Sequence, residues 1–189
     1  EITPPQPVML DGLFHARISE GVKDALTVTA WAIESGKEQA LFVSCDLICI
    51  SDELREAVLK RLKGSLPELD IKKVVLNATH TQTAPATRNK NAALMHLLEE
   101  VGSTVSIVSQ IMSAVDYVNF AADKISDAAT QAWHSRAPGG IAYGLGEVVI
   151  GRNRRWVDDQ GEAVMYTKDA QDKQRINAST GERYENHKI

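Results

Sequence analysis

An α/β fold, with a mixed sheet and helices packed on its faces, is predicted for this chain of 189 residues by two patterns and their order. Two β-type runs, one alternating and one almost continuously apolar, stand next to each other, and two segments with helical spacing carry recognisable caps. The elements read strand, strand, helix, strand, helix.

Residues 26–34 (LTVTAWAIE) alternate and are rich in β-branched side chains, which suits a strand. A hinge at Ser35-Gly36 follows. Residues 39–50 are apolar except near Asp46, so they are expected to form a central strand covered on both faces. Ser51 is placed to cap a helix whose first turn holds Asp52 and Glu53 and whose inner face carries Leu54, Ala57, Val58 and Leu62, with Gly64 and Pro67 at its end. The third strand is KKVVLNA. A long helix over residues 116–136 would bury Val118, Ala121, Ile125, Ala128, Ala129 and Ala132 before Pro138-Gly139-Gly140 stops it. Turn chemistry in DDQG, residues 158–161, predicts a hairpin between IGRNRRWV and EAVMY. Residues 91–113 are helical in pattern but interrupted at Gly102-Ser103-Thr104, and no function is assigned to them.

Apolar residues make up 43% of the chain and charged ones 24%, enough for one globular domain with a sizeable core. A net charge of −4 provides no basic field for nucleic acid, and the longest apolar run, ALFVSCDLICI, is too short to span a bilayer. The expected partner is a small molecule or a protein, and nothing in the sequence sets an oligomeric state. Cys45 and Cys49 would share a strand face roughly 13 Å apart, too far to bridge, and read as buried thiols. No signal peptide is visible, yet the chain opens on Glu1, so the compartment stays open between cytoplasm and a secreted setting. The tail turns polar from Lys168 and looks like a chain cut inside a larger fold. The glycines at 139, 140, 144 and 146 lack the strand-to-helix context of a dinucleotide fingerprint.

The stretch VVLNATHTQTAPATRN concentrates polar chemistry at the exit of a strand, where open α/β sheets bind ligands. If the segment stays extended, His80 and Gln82 point the same way and can converge on one ion or one substrate. His80 is then either a metal ligand or a hydrogen-bonded surface residue. Asp46 either orients His80 or caps the following helix. Arg154 either holds a substrate oxygen or belongs to a solvated basic run with Arg152 and Arg155. His15 reads as local structure, and His96, His134 and His187 as structural or solvated.

Three separated stretches, in order, resemble the catalytic domain of the neutral ceramidase family. They are EITPPQPVMLDGLFHARISEGVKDALTVTAWAIE with FVSCDLICIS after it, then NATHTQTAP, then VVIGRNRRW. The likeness is greatest to bacterial ceramidase-like proteins of undefined substrate. It implies the N-terminal portion of a zinc-dependent hydrolase acting on an amide bond of a lipid-like or small amide substrate. His80 matches the family's first zinc ligand, Arg154 the arginine of its active-site groove, and Asn153 accompanies it. Gln82 stands where the family has a second histidine that works on the substrate, and a carboxamide takes up no proton near neutral pH. Thr83 and Ala84 replace the family's serine and glycine, and Arg155-Trp156 its serine-proline. The other zinc ligands that the resemblance implies, a histidine, a glutamate and a tyrosine, are expected farther downstream than this chain reaches. The second expectation is a member of the same fold without metal chemistry that binds a ligand in the groove, and Gln82 is the residue that points to it.

Overall fold

The computed structural model describes residues 1–12, 16–88, 111–146, 155–157 and 160–165. The fold is α/β, and the chain divides into two compact units, Glu1–Gly139 and Gly140–Ile189.

In the first unit β3 (Val28–Ser35), β4 (Glu38–Cys45) and β5 (Val74–Ala78) form a sheet in the order β3-β4-β5. β3 and β4 are antiparallel through a two-residue loop, in which Gly36 takes φ +62 and so supplies the twist that a tight hairpin needs. β4 and β5 are parallel, with Cys45 level with Ala78. Parallel neighbours need a crossover, and α1 (Asp52–Ser65) provides it. Ser51 caps this helix by accepting from the Leu54 N–H at 3.2 Å, while Asp52 and Glu53 complement the N-terminal dipole. α2 (Ala114–His134) starts two residues before its expected onset, because Ser113 accepts from the Asp116 N–H and caps it there.

Both helices cover one face of the sheet. Leu41, Val43 and Cys45 of β4 are fully buried against Leu54, Val58 and Leu62 of α1 and Ala121, Ile125 and Ala129 of α2. Ala57, Ala128 and Ala132, expected inside, are only half-buried, while Tyr117, Ala122 and Trp133 complete the inner face of α2. Arg61 of α1 pairs with Asp123 of α2 at 2.6 Å along the outer seam. At the end of α2 the Trp133 indole donates to Glu68 at 2.6 Å, and the Arg136 guanidinium stacks 3.5 Å from that ring while pairing with Glu34 of β3.

The other sheet face differs from expectation. Among the described residues β4 is covered on one side only: Trp31, Phe42 and Val75 lie level across the three strands, exposed by 52%, 37% and 47%, with the Trp31 and Phe42 rings stacked 5.8 Å apart. An unbroken apolar run reports hydrophobicity without reporting whether each face has a neighbour, so the sequence pattern overstates the burial.

A second, smaller sheet joins β1 (Met9–Asp11) to β2 (Arg17–Ile18) and to β6 (Ala84–Pro85), all antiparallel. The start of the chain is held in the core. Ile2 is fully buried, its N–H donates to Leu26 O, and its carbonyl accepts from the Tyr117 hydroxyl at 3.0 Å. In the second unit β7 (Arg155–Val157) pairs with β8 (Ala163–Met165) as the expected antiparallel hairpin, with Gly161 at φ +83. No helix among the described residues is long and apolar enough to cross a membrane.

Leu62 of α1 has no solvent exposure and belongs to the buried core that residues of α2 and β4 share. Leu62→Ala is expected to destabilise the fold by about 2–5 kcal/mol, through lost burial and a residual cavity, as read from urea unfolding followed by circular dichroism.

Candidate functional site at the carboxyl ends of the parallel strands

Parallel pairing brings the ends of β4 and β5 side by side, and the ladder continues briefly beyond them. Thr79 N–H donates to Cys45 O and Thr81 N–H to Leu47 O, each at 3.0 Å. His80, between these two bonds, takes φ +62, and Thr83 takes φ +66. Left-handed backbone is tolerable for histidine but is a true outlier for β-branched threonine. Residues 79–83 therefore form a turn rather than a continuing strand. The two-residue repeat that would align His80 with Gln82 does not apply, because β5 ends at Ala78.

The turn is held from outside by the small sheet. Thr83 N–H donates to Asp11 O at 3.0 Å, and the Arg17 guanidinium donates to Thr83 Oγ1 at 2.9 Å. Gly12, at φ +100, lies so near that a Cβ on it would stand 2.9 Å from both Cα and Cβ of Gln82. Glycine is needed there for its φ and for the close approach.

His80 is exposed, and its Nδ1 lies 3.1 Å from Ile48 O. A carbonyl only accepts, so Nδ1 carries the proton in this bond and the lone pair of a neutral ring resides on Nε2. Metal-binding histidines commonly have this arrangement. Asp46, just past β4, directs its carboxylate elsewhere. Oδ2 accepts from the Thr27 N–H at 2.8 Å and the Thr27 hydroxyl at 2.7 Å, and Oδ1 accepts from the Thr79 hydroxyl at 3.1 Å. The hydroxyl and N–H bonds from Thr27 hold the carboxyl below its ordinary pKa against a smaller opposing effect of burial, and the Thr79 bond adds the least of the four. The cap of α1 is Ser51, not Asp46. Next to it the Cys45 thiol is pushed up to about 12 by burial and by the Asp46 charge, which makes it an inert core group.

Gln82 is exposed and lines an open cleft of about 630 Å³ bounded by the N-terminal proline segment, the 19–26 loop and the 81–83 turn. Thr81 and Thr83 share that wall; His80 is not part of it. Asn153, Arg154 and His15 lie outside the described residues, as do His96 and His187. A zinc centre needs about four donors, and among the described residues no group of three or more His, Cys, Asp or Glu could hold a metal. His80 fits one ligand position, and the described residues do not complete the set. The hydroxyl chain through Thr27, Asp46, Thr79 and Thr81 escaped sequence reasoning. The alternation of Thr79 and Thr81 after a strand was the available signal, but Thr27 joins only through the fold.

Comparison of the chain with protein-family models, with curated proteins and with solved structures finds no match.

Gly12→Ala is expected to cost about 1–3 kcal/mol through its left-handed φ and the clash with Gln82, and to displace the 79–83 turn. Chemical denaturation together with amide chemical shifts of residues 79–83 checks both effects. Asp46 gives a second prediction. Because its folded pKa lies below the ordinary 3.8, its stabilisation is present above that value and is lost as pH falls through the folded pKa. Asp46→Asn should therefore differ most from the parent at neutral pH, with the gap closing below about pH 4 in unfolding titrations.

Proposed function

We propose that this chain contributes to a metal-dependent hydrolase of the ceramidase-like kind, acting on an amide bond of a lipid-like or small amide substrate. The observation that carries the reading is the His80 ring, fixed by Ile48 O so that Nε2 is the nitrogen left to bind an ion at the carboxyl end of a parallel strand pair. The resemblance of NATHTQTAP to the ceramidase motif supports the same position, and Asn153 and Arg154 are the substrate-binding residues it suggests. Zinc, when bound, supplies a water that ionises near neutral pH and a Lewis acid for the amide carbonyl. Donors outside the described residues would have to complete its coordination. Gln82 provides hydrogen bonds to a substrate without proton transfer.

A second reading, a binding protein of the same fold without metal chemistry, is favoured by one observation: Gln82 lines the cleft and His80 does not. Metal content separates the two. Full-length protein, with the downstream donors that the resemblance implies, is expected to carry zinc or a similar ion when purified without chelator, and His80→Ala to lose it while remaining folded. Equal metal content in parent and His80→Ala would defeat the ligand assignment and leave the binding protein standing.

A further inference from the structure

The 81–83 wall of the cleft lies between two fixed points. Thr81 N–H donates to Leu47 O at 3.0 Å, and past the wall Ala84 and Pro85 are fully buried while Ala86 N–H donates to Met9 O at 2.8 Å. Gln82 and Thr83, between them, are exposed. Over so short a stretch the plane of the peptide joining these two residues is what remains free to change, since rotating it alters only ψ of Gln82 and φ of Thr83.

In the observed orientation Thr83 has φ +66 and its N–H donates to Asp11 O at 3.0 Å. A β-branched side chain disfavours that φ, so the peptide left to itself would turn over, taking Thr83 to negative φ and its N–H away from Asp11. Two bonds oppose this. One is the N–H bond itself, and the other is the bond of 2.9 Å that the Arg17 guanidinium donates to Thr83 Oγ1. Among the described residues no carboxylate pairs with Arg17, so no ion pair competes with Thr83 for its charge. A hydrogen bond from a charged donor and the cost of a left-handed threonine are of the same order, and the presence or loss of this bond therefore tips the balance. The bond is exposed to solvent, and it can open without disturbing the core behind Ala84.

We propose that the bond between Arg17 and Thr83 is a latch on a two-state peptide. Latched, the Gln82-Thr83 peptide keeps its strained orientation; released, it flips. Both residues line the cleft, so the flip alters the shape of its wall, and a ligand that fits one orientation better shifts the balance toward it. The device involves neither His80 nor an ion, and it stands or falls apart from the hydrolase reading.

Amide hydrogen exchange of the full chain, read residue by residue as protection factors, is the test. In the parent the Thr83 amide is expected to be protected. Arg17→Met, which keeps the aliphatic stem and removes the donors, should lower that protection about tenfold, the scale of one lost bond to a charged group, while the Thr81 and Ala86 amides keep theirs. Thr83→Val, which keeps the branch and removes the acceptor, should lower it equally. Glycine takes a positive φ freely, so in Thr83→Gly the amide of position 83 should stay protected, both alone and combined with Arg17→Met. Equal protection in parent and Arg17→Met, a loss shared by Thr81 and Ala86, or a loss that Thr83→Gly does not rescue would overturn the proposal. Should Arg17→Met fail to fold, Thr83→Val and Thr83→Gly still decide it.

Discussion

The parallel pairing of β4 with β5 is the constraint on which the rest depends. It places Cys45 level with Ala78 and thereby brings Asp46 and Thr79, 33 residues apart, to within hydrogen-bonding distance. It also requires a crossover, and α1 supplies one whose Leu54, Val58 and Leu62 pack on the inner face of β4. Parallel strands joined in this way leave their carboxyl ends together at one rim of the sheet. Polar side chains there need not be desolvated by the core, so the chemistry collects at that rim.

The turn beyond β5 is strained and held. Two residues other than glycine with positive φ within four positions would not persist in an isolated peptide. They persist because Thr79 and Thr81 extend the ladder on one side, while Asp11 and Arg17 grip Thr83 on the other. The small sheet β2-β1-β6 thus sets the shape of the turn, and Gly12 gives it the room to approach. Holding a turn at such cost is consistent with a preorganised site, in which groups are set before a ligand arrives.

Much of the fold was legible. The alternation of residues 26–34, the Ser51 cap with its acidic first turn and the apolar spacing of the long helix all report local rules, and each corresponds to an observed element. The antiparallel pair β7 and β8 was equally readable, since its two strands are neighbours in sequence. Of the candidate site, the placement of His80 and Gln82 at a strand exit was legible, but their relative direction was not. An extended reading assumes ordinary φ, whereas His80 adopts a left-handed one that tertiary contacts enforce.

By itself, then, the sequence determined the α/β class, the caps and periodicity of both helices, and the position of the polar segment after the third strand, because these depend on side chains close together in the chain. Only the tertiary structure decided that, among the described residues, one sheet face carries an exposed row of Trp31, Phe42 and Val75, that Asp46 serves Thr27 and Thr79, and that Gln82 belongs to the cleft and lies beside Gly12. Each of these joins residues from different elements. Such contacts are fixed by strand order, register and backbone φ, none of which a linear pattern of residue types encodes.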